Sequence, residues 1–298
     1  MGYSDDIKRF WRQGDLLQHL IVINVAVFVL MKMVTVVGVL FLADWGSIFN
    51  FLYLPGSVSG VLHKPWTLLT YMFVHADLLH ILFNMLWLYW LGKIFLEFFT
   101  AKQLGGLYFL GGLGGALLYV LAYSFLPYFA AAEGAVLVGA SAAIIAVVVA
   151  VAIYSPEYKI NLLFFGAVSL KWIAIITIFI DFLSMDGTNA GGHISHIGGA
   201  LVGLWFGVAI RSGHDITRPV NSVIDWMVNQ YCGLCEYVAN RRKKGAKSTN
   251  TKASHPGTRA EVPTESEIDA ILDKLKMSGY AALSDEEKAM LFRASGKK

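Results

Sequence analysis

Four polar side chains in apolar parts of the sequence are suited to acyl transfer. Ser141 carries a hydroxyl that can act as a nucleophile, and His196 carries an imidazole that can take the hydroxyl proton. His80 and Asn84 are spaced i, i+4, so they share one face of a helix. With the Ser141 backbone N–H, they can donate hydrogen bonds to an oxyanion. Because such groups are costly inside a bilayer and usually mark function, they predict a hydrolytic site.

The composition indicates that these residues lie in a membrane protein. Of the 298 residues, 56% are hydrophobic and 15% are charged, with a mean hydropathy of +0.57, whereas soluble domains carry about 25% charged residues. Charge is scarce over residues 18–211 and abundant afterwards. The net charge of +3 is small, and the basic residues do not line one face, so nucleic-acid binding is not expected.

Six apolar stretches have roughly the 20 residues that a helix needs to cross a bilayer. They cover residues 18–42, 78–98, 104–125, 135–155, 162–184 and 192–211. The expected fold is therefore all-α, a six-transmembrane-helix bundle. Lys171 lies inside the fifth stretch, so that helix is expected to start later, near Val168. Lysine and arginine cluster before the first stretch, in the second and fourth loops and after the sixth, which places both termini in the cytoplasm. A bacterial inner membrane is the expected location.

This topology places the four polar residues at one depth. Stretches two, four and six all enter from the outer side, and each carries its polar residues near its start. At about 1.5 Å per residue, these side chains lie several ångströms below the outer surface. Because these three helices carry no acidic residue at that depth, a Ser-His dyad is expected rather than a triad. Neither Asp181 nor Asp186 is predicted to be a third member.

Small residues predict that the fourth and sixth helices pack closely, which would join Ser141 to His196. After His196, glycines recur on one helical face at Gly199, Gly203 and Gly207. After Ser141, alanines recur at a spacing of four at Ala142, Ala146 and Ala150. His193 is a rival for the base, one turn earlier. The spacing of the glycines favours His196.

The sequence over about residues 18–211 resembles the rhomboid intramembrane serine proteases. The similarity rests on three motifs in order: the segment 75–84, HADLLHILFN; Gly139-Ala140-Ser141; and 196–199, HIGG, with Gly203 following. The resemblance implies Ser141 as nucleophile, His196 as base, His80 and Asn84 as oxyanion donors, and a short fourth helix that begins inside the membrane. Ala142 stands where the family often has glycine, and Ile145 where it often has an aromatic residue packed on the catalytic ring.

The predicted organisation has four parts: a cytoplasmic N-terminal segment at 1–17, the membrane domain at 18–211, an amphipathic helix and linker at 212–263, and a small helical segment at 264–298. Two capping boxes, Thr264 with Glu267 and Ser284 with Glu287, mark helices in the last part. We expect this tail to dock on an unknown cytoplasmic partner or to regulate the membrane domain.

No cofactor or metal is expected from the sequence. Cys232 and Cys235 form a single C-x-x-C, whereas a structural zinc site needs four ligands. They are therefore interpreted as two ordinary thiols.

The favoured function is an intramembrane serine endopeptidase that cleaves transmembrane proteins in or next to their membrane segments, within the lipid bilayer. The alternative is a catalytically silent rhomboid-like protein that binds client transmembrane helices; it would be expected to lack the serine or the histidine. A transporter would place paired broken helices and charged residues near the midplane, whereas the polar cluster here lies toward one surface.

Overall fold

The computed structural model describes residues 15–130, 132, 134–162, 166–230, 233, 265–278 and 283–295. It divides into two compact units, residues 1–232 and 233–298. The predictions for residues 1–14, for most of the linker, for the two cysteines and for the capping role of Thr264 lie outside the described residues.

The first unit is mostly helical, and each predicted span contains one helix. Its helices are α1 (Leu16–Leu40), α2 (Val58–His63), α3 (Thr67–Thr70), α4 (Leu78–Phe98), α5 (Ala101–Phe125), α6 (Pro127–Ala130), α7 (Ser141–Tyr154), α8 (Leu170–Leu183), α9 (Ala190–Arg211) and α10 (218–230). Two 3₁₀-helices lie at Gly46–Phe51 and Tyr71–Phe73. The strands are β1 (Leu54–Pro55), β2 (Val136–Leu137), β3 (Lys159–Leu162) and β4 (Gly166–Ser169), so the expectation of an all-α chain needs this small correction.

Four of the helices in the described residues, α1, α4, α5 and α9, are long and apolar enough to cross a membrane. The chain is therefore an integral membrane protein. The predicted fourth and fifth spans were too long, because α7 and α8 have 14 residues each. At about 1.5 Å per residue each measures roughly 21 Å, which is shorter than a hydrocarbon core of about 30 Å.

The late start of α7 follows from the backbone that precedes it. β2 pairs antiparallel with β1, so residues predicted to be helical are extended instead. Gly139 then has a φ of +127°, which a residue with a Cβ rarely adopts, and its N–H donates to the Tyr71 carbonyl at 2.9 Å. The chain turns sharply at this glycine, and the helix begins at Ser141.

The late start of α8 follows from an antiparallel hairpin. β3 and β4 pair with each other and occupy the first part of the predicted fifth span. Lys171 is the second residue of α8 and contacts Glu157 as an ion pair. The prediction that this lysine delays the helix is therefore confirmed to within two residues.

Glycines let the backbones of α5, α7 and α9 touch. A Cβ added at Gly199 would lie 2.1 Å from the Ala142 carbonyl oxygen, and one at Gly203 would lie 2.4 Å from that of Ala146. On the other side of α9, a Cβ at Gly198 would lie 2.4 Å from the Gly114 carbonyl oxygen of α5. Because only a hydrogen fits at these positions, the three helices pack as one unit.

The segment predicted as an amphipathic helix and linker at 212–263 contains α10. Thr217 donates its backbone N–H to Asp215 Oδ1 at 2.9 Å, and Gln103 of α5 donates to Asp215 Oδ2 at 3.0 Å. Burial acts to raise the pKa of Asp215, but the hydrogen bond from the Thr217 hydroxyl, together with these two, outweighs it, and the pKa lies below its ordinary value. The aspartate thus ties the start of α10 to the start of α5.

The second unit contains α11 (Glu265–Ser278) and α12 (Asp285–Ser295). The capping box predicted at Ser284 is present: the Glu287 N–H donates to Ser284 Oγ at 3.2 Å, and the Ser284 N–H donates to Glu287 Oε2 at 2.6 Å. Lys274 of α11 also donates to Glu287 Oε1, at 2.8 Å. One carboxylate therefore caps α12 and links it to α11.

Candidate active site

Ser141 and His196 lie on the two helices that pack most closely. Ser141 is the first residue of α7, and His196 lies on the face of α9 from which Gly199 and Gly203 approach α7. The His196 Nε2 atom lies 2.7 Å from Ser141 Oγ. This distance is within the range of a hydrogen bond between a nucleophile and its base. The structure therefore brings together the two residues that the sequence paired.

An acidic residue completes this line of contacts, contrary to the sequence-based expectation. Asp181 Oδ1 lies 2.8 Å from His196 Nδ1, so an acidic residue that was not predicted to be a third member does contact the histidine. The expectation considered only helices that begin at the outer side. α8 runs in the opposite direction, and Asp181 lies in its last turn, near where α9 begins.

His193 contacts the same carboxylate. Its Nδ1 atom lies 2.7 Å from Asp181 Oδ1, whereas the hydrogen bond to Ser141 comes from His196. The choice of His196 over His193 as the partner of the serine therefore agrees with the geometry. A carboxylate oxygen only accepts, so both rings donate from Nδ1, and Nε2 of His196 is left to accept the Ser141 hydroxyl.

The Nδ1 atom of His196 is thus held by the buried carboxylate of Asp181. The Asp181 side chain is 6% exposed and that of His196 is 18% exposed. Ile145, which replaces the aromatic residue often found in the family, is buried and lines the cavity beside Ser141. Asp181 therefore supplies an orientation for the imidazole that does not depend on aromatic packing.

His80 lies close to the start of α7. A Cβ added at Gly139 would lie 2.9 Å from His80 Nε2, so the ring is packed against the glycine that precedes the nucleophile. Asp77 caps α4 by accepting the His80 N–H at 2.9 Å, and this hydrogen bond lowers the pKa of the Asp77 carboxyl. The His75 ring packs edge-on against that of His80. Burial, and secondarily the neighbouring His80, lower the pKa of His75 to about 4, so His75 is neutral at pH 7.

Asn84 lines the same cavity as Ser141. Its amide donates one hydrogen bond to the His80 carbonyl oxygen at 2.8 Å. A side-chain amide nitrogen has two hydrogens, so one remains for another acceptor. His80 therefore lies beside the start of α7, and Asn84 lines the cavity next to Ser141.

An apolar cavity of about 200 Å³ opens beside Ser141. Its walls come from α4, α7 and α8: Phe83, Asn84 and Trp87, then Ser141, Ile144, Ile145, Val148 and Val149, then Ala174 and Thr177. Asn84, Ser141 and Thr177 are the polar residues among them. The cavity therefore suits an apolar side chain or segment held next to the serine.

A serine hydrogen-bonded to a histidine within a bundle of apolar helices places this chain among membrane proteins with a buried serine–histidine pair. The Rhomboid domain matches residues 62–213, which contain every site residue described above. The chain belongs to the rhomboid family, and the resemblance seen in the sequence is confirmed.

Two relatives agree with this assignment. The chain is 30% identical over 227 residues to RHOMBOID-like protein 12, mitochondrial, of Arabidopsis thaliana, covering 71% of this chain and 64% of that protein. It is 27% identical over 158 residues to Rhomboid-related protein 1 of Caenorhabditis elegans, covering 49% and 40%. The chain thus spans less than two thirds of the length of either relative. The plant protein is named as mitochondrial, and a bacterial inner membrane stays a prediction for this chain.

Proposed function

We propose that this protein is an intramembrane serine endopeptidase in which Ser141 is the nucleophile and His196 the general base. The observation that carries the proposal is the continuous set of contacts from Ser141 Oγ to His196 Nε2 at 2.7 Å and from His196 Nδ1 to Asp181 Oδ1 at 2.8 Å. A serine hydroxyl becomes an effective nucleophile when an oriented base takes its proton. Asp181 acts through His196, as a positioning residue.

The reaction would proceed through an acyl-enzyme. Ser141 Oγ attacks the carbonyl carbon of the scissile peptide bond while its proton moves to His196 Nε2. The tetrahedral intermediate collapses, the C–N bond breaks, and His196 returns the proton to the leaving amine. Water then attacks the resulting ester, with His196 again taking the proton, and hydrolysis releases the acid and restores the serine.

The oxyanion of each tetrahedral intermediate needs preorganised donors. Ser141 is the first residue of α7, and the N–H groups of a first helical turn lack an acceptor within the helix. The second hydrogen of the Asn84 amide and the ring of His80 lie on the neighbouring helix. We assign these three groups to the oxyanion.

The cavity indicates the substrate class. Its walls are apolar and belong to α4 on one side and α8 on the other, with Ser141 between them. An apolar segment that leaves the lipid between these helices would reach the nucleophile without crossing a polar surface. We therefore propose transmembrane proteins as substrates, cleaved in or next to a membrane segment.

Six crossings with both termini in the cytoplasm belong to the same proposal. Lys102, Lys159 and Arg211 lie at the ends of α5, β3 and α9 that this topology places inside, as the positive-inside rule requires. Ser59→Cys in the first loop should react with an impermeant maleimide in intact cells, and Glu157→Cys only after permeabilisation. Both variants would carry Cys232→Ser and Cys235→Ser. Labelling in the opposite order would overturn the orientation.

The deciding experiment for the activity is cleavage of a single-span reporter by the purified protein in liposomes. Ser141→Ala should lower the rate by about a million-fold, as loss of a serine nucleophile does elsewhere. Ser155→Ala, at the opposite end of α7, is the matched control and should keep the parent rate. If several reporters are cleaved by neither the parent nor the variants, the silent client-binding alternative is favoured.

A further inference from the structure

We infer that Asp181, His193 and His196 form a binding site for a divalent transition-metal ion such as Zn²⁺, and that metal bound there switches off Ser141. The sequence had given no reason to expect a metal site. Among the described residues, these three side chains are the group whose metal-ligating atoms come together, one atom from each residue within 4.8 Å of the others. The binding site stands independently of the proposed protease function; the inhibition rests on it.

The donor set fits zinc. His193 and His196 are spaced i, i+3 on α9, so both rings face the same side, and Asp181 approaches from α8. Two imidazole nitrogens and one carboxylate are the kind of three-ligand set that zinc uses when a fourth position is left for water. Nitrogen donors favour zinc, cobalt, nickel or copper over magnesium and calcium. The class of ligand is therefore a borderline transition-metal ion.

The two distances to the Asp181 carboxylate require only a small adjustment. The Nδ1 atoms of His193 and His196 lie 2.7 and 2.8 Å from Asp181 Oδ1. Around a tetrahedral zinc with bonds of about 2.0–2.2 Å, neighbouring ligand atoms lie about 3.4 Å apart. An ion can thus take the place of the two shared hydrogens if the carboxylate withdraws by about 0.6 Å.

A buried oxygen atom points independently to a missing partner. Asp181 is 4% exposed, and its Oδ2 atom is buried without a hydrogen-bond partner among the described residues. A buried carboxylate oxygen left in this state is costly. A cation beside Asp181 would offset this cost, and rotation of the carboxylate would bring Oδ2 to the metal. His193, 22% exposed and one turn nearer the start of α9, provides the route by which an ion reaches the site.

Metal binding would change the hydrogen bonding of His196. An Nδ1 atom that binds a metal cannot keep its hydrogen, so each Nδ1 proton is lost to solvent and each Nε2 gains one, with no net proton released. His196 Nε2 would then donate to Ser141 Oγ instead of accepting from it. The serine would lose the base that takes its proton, and hydrolysis would stop without any change in the packing of α7 on α9.

The binding test uses Co²⁺ in place of the spectroscopically silent Zn²⁺, on full-length Ser141→Ala protein in detergent. We expect one equivalent of Co²⁺ to give the intense visible absorption of a tetrahedral site, and Zn²⁺ to displace it. Adding His193→Gln or Asp181→Asn should weaken binding by about tenfold or more, the effect of losing even an outer-shell partner. His63→Gln, an exposed histidine of α2, is the matched control and should bind as the Ser141→Ala protein does.

The inhibition test measures reporter cleavage by protein with Ser141 intact, against Zn²⁺ concentration, with each variant scaled to its own metal-free rate. His193→Gln should need about tenfold more Zn²⁺ than the parent or His63→Gln for half inhibition, and a chelator should restore activity. If no tetrahedral Co²⁺ spectrum forms, or if it persists in both His193→Gln and Asp181→Asn, the site is overturned. Persistence would assign the ion to other histidines, such as His75 and His80. If the protein cleaves no reporter, the Co²⁺ spectra still decide the site.

Discussion

The five helices around the candidate site fall into two groups that pack in different ways. In the inner group, α5, α7 and α9, backbones touch through glycine and alanine, and every residue of α7 from 142 to 152 is buried. In the outer group, α8 buries Leu170, Ala174 and Asp181 and exposes most of its other side chains, and α4 likewise turns large apolar residues outward. The inner group carries Ser141 and His196, whereas the outer group carries Asp181, His80 and Asn84.

This division separates the proposed nucleophile and base from the groups proposed to assist them. The inner helices fix the distance between nucleophile and base, because no side chain could be added between their backbones. The outer helices can shift against the inner group at the cost of side-chain contacts alone. Substitutions that add a side chain at the glycine contacts of the inner group should therefore destroy folding and activity together, whereas substitutions of the polar residues in the outer group should reduce activity in a folded protein.

The largest effect is expected from Gly199→Ala. The new methyl would lie 2.1 Å from the Ala142 carbonyl oxygen, so α9 must move away from α7, with a loss of about 3 kcal/mol or more in unfolding free energy. Thermal unfolding and reporter cleavage should both collapse. Gly46→Ala, where the nearest atom would lie 3.4 Å away, is the control and should leave both unchanged. Equal melting temperatures for the two variants would contradict the distinction between the groups.

The next effect is that of Asp181→Asn, which keeps the size of the side chain. An amide in place of the carboxylate no longer favours the Nδ1–H form of His196, so kcat should fall by about 10²- to 10⁴-fold while KM stays near the parent value. Asp181→Glu should recover part of the rate. Asp186→Asn, an exposed acidic residue beyond the end of α8, is the control.

For Asp181→Asn, steady-state kinetics and thermal unfolding should be measured on the same preparations. A fall in kcat together with an equal fall in melting temperature would show that Asp181 only supports the fold.

A smaller effect is expected from Asn84→Ala. Loss of one oxyanion donor should lower kcat by about 10²-fold, with a thermal stability close to that of the parent protein because the site lies on the outer group. Trp87→Leu, one turn further along α4 and lining the same cavity, should instead raise KM for apolar substrates. Identical kinetic changes in both variants would mean that Asn84 forms part of the cavity wall and does not donate a hydrogen bond to the oxyanion.

The smallest effect concerns the second unit, in which a charged contact between Lys274 and Glu287 links the two helices. The hydrogen bond from Lys274, and then that from the Ser284 N–H, lower the pKa of Glu287 below its ordinary value of 4.5. The ionised carboxylate therefore stabilises the helix pair above pH 4.5, and this contribution is lost as the pH falls through the lowered pKa.

Amide hydrogen exchange in α11 and α12 of the full-length chain should thus quicken as the pH falls below 4.5 and through the lowered pKa of Glu287, beyond the intrinsic effect of pH. Glu287→Gln should show fast exchange already at neutral pH and little further change on acidification. Protection that does not differ between the parent protein and Glu287→Gln would assign the stability of the pair to apolar contacts such as that of the buried Ile271.

The pairing of Ser141 with His196 could be predicted because two independent patterns agreed. Both residues follow the start of apolar stretches that enter from one side, and small residues recur on the same faces. The contact of Asp181 could not be found by counting residues from the start of each stretch. It depends on the reversed direction of α8, whose last turn reaches the level at which α7 and α9 begin. Counting depth from both ends of each apolar stretch would have placed Asp181 near the level of Ser141 and His196.

The lengths of the fourth and fifth spans were mispredicted for a different reason. Hydropathy does not distinguish an apolar helix from an apolar extended segment. Val136 and Leu137 are as apolar as the helix that follows, but they pair with Leu54 and Pro55. Gly139 was the local signal, since a glycine two residues before a functional serine suggests a turn. For the fifth span the signal was Lys171, because its charge indicated that α8 begins later than the apolar stretch.

In the six-crossing topology proposed above, the shortness of α8 would affect the surrounding lipid. Ile176, Phe179 and Phe182 point outward from a helix about 21 Å long, beside a bilayer whose hydrocarbon core is about 30 Å thick. Acyl chains along this face must compress or tilt to match it, at a cost of fractions of a kcal/mol per ångström. The protein would thus carry a locally thinned annulus at the side where its cavity opens. The length of the lipid acyl chains would then determine how far a neighbouring helix must move along the bilayer normal before its end reaches water.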